Sequence, residues 1–444
     1  MFDRTRLTRY LRDFQEISLP EIVTRELELP ATQRILSIYG PRRSGKSYYF
    51  KQLVRDLHAS GVKKENVVYL NFEDTRLAGL DFKELEDIIR LHLELYPSAI
   101  GRDLHVLLDE PQTIPQWERA VRSMHDSGRL KLYVTGSSAR MLSWEIATSL
   151  RGRTLSYLFL PYSFRELVTL RGIRLKDFPD FSTNEEARVK SLLSEYLRIG
   201  GYPEVVAEPD EGTRSRILRE YLDLIIYRDI IERYSLENLA FVKFLLNRLF
   251  ACFSRQVSAH KIFNTAKSQG IRVSKTTVYD CISYAEDALA VFLLRKWSPS
   301  ETRRQMSFPK AYLADTGFAK LFSSASDDAG YLAENAVFLD LKRAQNSDPH
   351  LEIYYWRGSG DAEVDFAIMK SQKFIRLIQV CRSIDDPDTL KREIRALVAA
   401  SRQLHCRHLT ILNWDLEVVR NVDGLNVEFR PLWKWILAPL KTKV

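Results

Sequence analysis

The chain has 444 residues, 45% hydrophobic, 28% charged and 11% aromatic, which excludes a disordered or fibrous protein and describes a large globular one. At roughly 100–200 residues per domain, this length predicts two to four domains. Sixty-six Lys and Arg against 58 Asp and Glu leave a net charge of +8, compatible with a polyanionic partner without requiring one. No apolar run approaches the ~18–20 residues of a membrane span, and the charged opening MFDRTRLTRYLRDF has no signal-like core. No membrane partner and a cytoplasmic location are therefore expected. The four cysteines are far apart and form no C-x-x-C pair, so reduced thiols are expected and a zinc framework is not. No histidine spacing matches a metal site either, so any metal is expected to be held by oxygen.

From about Arg34, short β-rich runs alternate with helical ones. RILSIYG, NVVYLNFED, LHVLLDE, KLYVTGSS and TLSYLFLPY read as strands. SGKSYYFKQLVRDLHAS, DFKELEDIIRLHLELY and WERAVRSMHDSG read as helices between them. Strands that are apolar on both faces and separated by helices predict a parallel sheet covered on both sides, an α/β fold. This first domain, with an N-terminal extension, spans 1–162. Residues 163–240 read as almost wholly helical, broken at Gly200-Gly201 and Pro203. Residues 241–311 follow as two helices, a turn and an apolar strand. Strand–helix alternation resumes over 312–444, predicting a second α/β domain.

The run Gly40-Pro41-Arg42-Arg43-Ser44-Gly45-Lys46-Ser47 satisfies G-x-x-x-x-G-K-[ST], between an apolar strand and a helix that continues through Tyr48. In such a P-loop, backbone N–H groups wrap phosphates and the helix N-terminus favours their charge. Lys46 is expected to reach the β- and γ-phosphates of ATP, and the Ser47 hydroxyl to ligate Mg²⁺. The strand LHVLL ends in Asp109-Glu110, an expensive pair of buried carboxylates unless used. Asp109 fits the metal-side acid of a Walker B motif and Glu110 the general base, with a helix-capping acid as the plain alternative for Glu110. His105, on the same strand, reads as a packed core residue. Thr135, Ser137 and Ser138 end the next strand and either face the ligand crevice or cap a helix. Arg151 and Arg153 precede the fifth strand, where an arginine either reaches a phosphate in its own or a neighbouring subunit or stands on the surface.

GPRRSGKS, LLDEPQTIPQWERAVR, VTGSSARML, the RGR before LPYSFREL, and RIGGYPEV resemble the archaeal-type AAA+ ATPases. In that family a helical lid follows the core, and then a C-terminal domain of unknown function, which YLDLIIYRDIIERY, KAYLADTGFAKL and GDAEVDFAI resemble. The resemblance implies a P-loop core of strand order 5-1-4-3-2, a lid at 163–240, and a homo-oligomer, frequently a hexamer. It also makes Arg151 or Arg153 the candidate arginine finger.

Residues 241–310 hold twelve Lys and Arg against four acids, so this one segment carries an excess equal to that of the whole chain. Helix, turn at Gly270, second helix capped by Ser274, then strand is the layout of a winged helix-turn-helix. Lys275, Thr276, Thr277 and Tyr279 would lie near the leading turn of the second helix, and Arg272, Arg295 and Lys296 could hold the phosphates of DNA or another nucleic acid. Such modules also serve packing and oligomerisation. Further on, Glu334 on a helix, Asp365 on a strand, and Gln379-x-Cys381 on the next follow the order of a PD-(D/E)xK nuclease core. One acid and the lysine of that motif are replaced, so a nuclease-like fold without nuclease activity is expected. The leading expectation is a Mg²⁺-dependent ATPase that binds or remodels nucleic acid. The alternative is a nucleotide-gated switch that assembles signalling or defence complexes.

Overall fold

Strand β1 (Ile35–Tyr39) lies between β4 (Leu130–Gly136) and β5 (Thr154–Leu158), and β3 (Leu104–Asp109) joins β4 to β2 (Val67–Asn71). All four pairings are parallel, so the sheet runs β2-β3-β4-β1-β5, the order that the family resemblance implies. Every residue of β3 is buried, which is why its sequence is near-continuously apolar instead of alternating. Helices α2 (Lys46–Ala59), α3 (Glu84–Leu95) and α4 (Trp117–Asp126) connect the strands. The N-terminal extension forms α1 (Arg4–Glu16), capped by the Asp3 carboxylate on the Arg6 amide. Leu7, Tyr10 and Leu11, at one-turn spacing, bury against Val68, Leu70, Leu85 and Ile88. The extension is thus part of the core.

The computed structural model describes residues 3–18, 20–137, 150, 152–322, 328–381, 384 and 386–439. They fall into two units, Met1–Phe159 and Leu160–Val444, the first being the parallel-sheet unit above. The second opens with helices Phe164–Leu170, Thr183–Ile199, Pro203–Ala207 and Glu211–Leu224. Two of these helices start with capping boxes, Ser163 with Glu166 and Ser182 with Glu185. Helix Leu239–Ala251, β6 (Arg255–Gln256), helices Ala259–Ser268 and Lys275–Asp287, β7 (Val291–Leu294), helix Glu301–Met306 and β8 (Lys310–Leu313) follow. Here β8 pairs antiparallel with both β6 and β7.

Helix Ala329–Ser347 then leads into β9 (Leu351–Arg357), β10 (Glu363–Lys370) and β11 (Lys373–Val380), an antiparallel run. Helix Pro387–Leu404 crosses to β12 (Leu409–Asn413), parallel to β11, and β13 (Val418–Val422) and β14 (Leu425–Pro431) complete a six-stranded sheet. The four cysteines are free thiols. Among the described residues, no helix is long and apolar enough to cross a membrane.

Candidate functional site

The chain leaves the C-terminal end of β1 at Tyr39 and turns through Gly40–Gly45 into α2. A Cβ on Gly40 would lie 1.9 Å from the carbonyl oxygen of Phe159, so only glycine lets the loop pass the exit of β5. Arg43 and Gly45 both take left-handed backbone, with φ of 62° and 97°. Such turns aim successive N–H groups to one side, the cradle that an anion needs. Lys46 and Ser47 open α2. The Lys46 ammonium is buried and donates to the carbonyls of Gly40 and Pro41, each at 3.1 Å. Its nitrogen also lies 3.7 Å from Glu110 Oε1. Ser47 borders a cavity of about 270 Å³ beneath α1, shared with Tyr10, Phe14, Tyr69 and Asn71. Tyr48 is 55% exposed, with the Lys51 ammonium over its ring.

Asp109 and Glu110 sit where β3 ends. The Asp109 carboxylate accepts from the Tyr69 hydroxyl at 2.7 Å and from the Thr135 hydroxyl. Thr135 also accepts from the Glu110 backbone amide at 3.1 Å, so one hydroxyl at the end of β4 holds the Asp109 carboxylate and the Glu110 main chain. Burial and the Asp109 charge push the Tyr69 hydroxyl up, which keeps it a donor. Glu110 takes left-handed backbone (φ 55°), and its carboxylate accepts from the Gln112 amide. Ser137 is buried just past the end of β4, while Ser138 lies outside the described residues. His105 stacks on Tyr133, with its Nδ1 3.1 Å from the hydroxyl. Burial holds its imidazole down at about 4.

Arg153 stands at the N-terminal end of β5, whereas the P-loop follows the C-terminal end of β1, which is parallel to it. Five residues at ~3.3 Å each put it about 16 Å along the sheet from the loop. Its guanidinium grips Asp126 with two bonds, 2.8 and 3.1 Å, and thereby lowers that carboxyl. Arg151 lies outside the described residues.

Two residues of this site carried no signal in the sequence pattern. Tyr69, on the neighbouring strand, is legible only once β2 is known to flank β3. Arg25, in the segment before β1, donates to the Ser44 carbonyl at 3.0 Å and lies 4.1 Å over the Phe159 ring, bracing the P-loop from outside.

In the second unit, Arg272, Lys275 and Thr276 are exposed at the start of helix Lys275–Asp287, where Ser274 caps the Thr277 amide. Arg295 is exposed and Lys296 half-buried. Their backbone pairs with β9, through Tyr355 N–H to Arg295 O at 3.1 Å and Trp297 N–H to Tyr355 O at 2.8 Å. Lys310, counted in the basic segment, is buried and unavailable to a ligand.

Residues 32–168 match the family model of an AAA domain, and residues 190–329 match that of a domain of unknown function, DUF8612. The chain is similar to the uncharacterized protein MJ1544 of Methanocaldococcus jannaschii, at 34% identity over 426 residues, 94% of this chain and 92% of that protein. An uncharacterized protein of Haemophilus influenzae is 28% identical over 373 residues, 83% of this chain and 88% of that one. A solved structure, the Walker-type ATPase PABY2304 of Pyrococcus abyssi, aligns with a TM-score of 0.40 and 15% identity, over 72% of this chain and 96% of that one. The chain thus carries an AAA domain on a five-stranded parallel sheet and belongs to one family with MJ1544.

Proposed function

We propose that the chain binds ATP with Mg²⁺ at the Gly40–Ser47 loop and hydrolyses it. One observation carries this reading. A buried lysine ammonium and two oriented carboxylates, Asp109 and Glu110, converge at the C-terminal ends of β1 and β3, with Lys46 only 3.7 Å from Glu110. The turned amides of the loop suit three phosphates, and the Ser47 hydroxyl with the Asp109 carboxylate is the oxygen donor set that suits Mg²⁺. Bound there with the nucleotide, Mg²⁺ would offset charge on the transferring phosphoryl group. Incoming phosphate oxygens replace the Gly40 and Pro41 carbonyls as partners of Lys46, which draws its ammonium off Glu110. Glu110 is then free to take a proton from the attacking water as the γ-phosphorus–oxygen bridge breaks. Thr135 and Ser137 line the same strand ends. Arg153 serves as a finger only toward a neighbouring subunit's nucleotide, since its own lies at the far edge of the sheet, and Arg151 shares that role.

We further read the segment from Leu239 to Leu313 as a winged helix. Its helix–strand–helix–helix–strand order, the return through the short helix Glu301–Met306 to a last strand, and the antiparallel sheet β6-β8-β7 support that reading. The exposed Arg272, Lys275, Thr276 and Arg295 suit a nucleic-acid backbone, with Lys296 beside them. The α-β-β-β-α-β run from Ala329 to Asn413 is read as nuclease-like. ATP turnover with Mg²⁺ or EDTA, with and without duplex DNA, tests the whole. Mg²⁺-dependent turnover stimulated by DNA is expected. Turnover that ignores DNA but tracks oligomer formation would favour the nucleotide-gated switch, and no turnover at all would contradict the ATPase reading.

A further inference from the structure

The nuclease-like reading implies a divalent metal held by Glu334, Asp365 and their neighbours, and the residues present do not fit one. Strand β8 sends Lys310 into the space between them. Its ammonium donates to Asp365 Oδ1 at 2.9 Å and Glu334 Oε1 at 3.0 Å, and it pairs with Glu363 Oε1 at 2.7 Å. Three carboxylate oxygens thus meet the three N–H donors of one lysine at ordinary hydrogen-bond lengths, and the ammonium fills the position that a metal would take. Other oxygens of the cluster are also engaged. Asp365 Oδ2 accepts from the Val380 amide at 2.9 Å, and Glu363 Oε2 from Gln256 Nε2 at 3.1 Å. The Tyr312 hydroxyl donates to Glu334 Oε1 at 2.6 Å. Gln379, where the motif would place an acid, accepts from the Asp365 amide at 3.2 Å, and Cys381 packs in the apolar core under the sheet.

We propose that this carboxylate cluster is a cation site whose occupant is the chain's own Lys310 ammonium, standing where a nuclease of this layout would carry a divalent metal. Burial opposes the charge on Lys310, but Asp365 and Glu334 outweigh it and hold the ammonium well above its ordinary range. Burial and the nearby Asp365 raise the Glu334 carboxyl, which relieves part of the surplus negative charge. The consequence is an ionic latch. It ties β8 of the three-stranded sheet to β10 and to helix Ala329–Ser347, and it leaves the domain unable to recruit the metal that phosphodiester cleavage needs.

The test is Mn²⁺ binding to the nucleotide-free full chain, together with chemical denaturation of Lys310→Met. Wild type is expected to show no Mn²⁺ site that Asp365→Asn removes, and no stabilisation by Mn²⁺. Lys310→Met leaves buried carboxylates uncompensated and should lower the folding equilibrium constant by ~10²–10³-fold. Millimolar Mn²⁺ should restore at least ~10-fold of that loss by occupying the vacated cage. Should Lys310→Met fail to fold, the triple variant Lys310→Met, Glu334→Gln, Asp365→Asn should fold without metal, because both fully buried carboxylates are neutralised and only the partly exposed Glu363, held by Gln256, keeps its charge. An Asp365-dependent Mn²⁺ site or DNA cleavage in wild type overturns the proposal whatever the variants do. So does a Lys310→Met chain as stable as wild type, or one that gains nothing from Mn²⁺.

Discussion

Lys46 donates to two loop carbonyls and lies 3.7 Å from Glu110, all of them groups that an incoming phosphate would displace or reposition. Removing it with Lys46→Ala should weaken ATP binding by ~10–100-fold, the worth of one or two charge-assisted bonds, as read by fluorescent nucleotide titration; unchanged affinity would remove Lys46 from the site. Tyr69 offers a finer test. In Tyr69→Phe the Asp109 carboxylate loses a 2.7 Å donor, so hydrolysis should fall several-fold while the fold loses about 1–2 kcal/mol. A Tyr69→Phe chain that hydrolyses like wild type would mean that Thr135 alone orients Asp109. The phosphate loop and the paired acids were legible in the sequence because their chemistry is local and fixed in spacing. Tyr69 and Arg25 were not, since each meets the site from a segment that only the sheet order or the packing of the N-terminal extension brings near.

Among the elements of the second unit, the glycines after helix Thr183–Ile199 meet the residues after β8 in a close-packed joint. A Cβ on Gly201 would fall 2.2 Å from the Tyr162 carbonyl, and one on Gly317 would fall 2.4 Å from the Ile199 carbonyl. Asp315 accepts from the Gly201 amide at 2.7 Å and the Gly317 amide at 2.9 Å. Gly201→Ala should therefore destabilise the unit by about 2–3 kcal/mol in thermal or urea unfolding, since backbone must move to admit a methyl. Burial raises the Asp315 carboxyl from 3.8 to about 7 against those two amides. The folded state thus keeps a proton that the unfolded chain releases. The resulting stability is complete below the unfolded value and lost as pH rises through about 4 to 7. Asp315→Asn should flatten that part of the pH–stability curve, and a slope unchanged from wild type would show that another group sets it. RIGGYPEV and KAYLADTGF are each visible in the sequence, but their meeting across more than a hundred residues is not. Lys310 shows the same limit. Composition counts it with the basic segment, while partners on a later helix and strand make it an interior ion.

For the whole molecule, the basic excess falls in residues 241–310, and of the basic residues singled out there for nucleic acid, Arg272, Lys275 and Arg295 are exposed and Lys296 is half-buried. If these hold nucleic acid, each of Arg272→Ala and Lys275→Ala should lower the salt slope of DNA binding by ~1 and weaken all sequences alike. A slope unchanged in both variants would assign the segment to packing. Arg153 pairs with Asp126 about 16 Å along the sheet from its own phosphate loop, so the proposed finger role requires assembly with a second copy of the chain.

The proposed hydrolysis of ATP by the AAA unit, with Glu110 as base, is put to the test by single-turnover hydrolysis in Glu110→Gln beside wild type, with nucleotide affinity measured on the same samples. Retained binding and hydrolysis slowed by ~10²–10⁴-fold are expected. Hydrolysis at the wild-type rate in Glu110→Gln, or a wild-type chain that binds ATP and never cleaves it, would contradict that proposal.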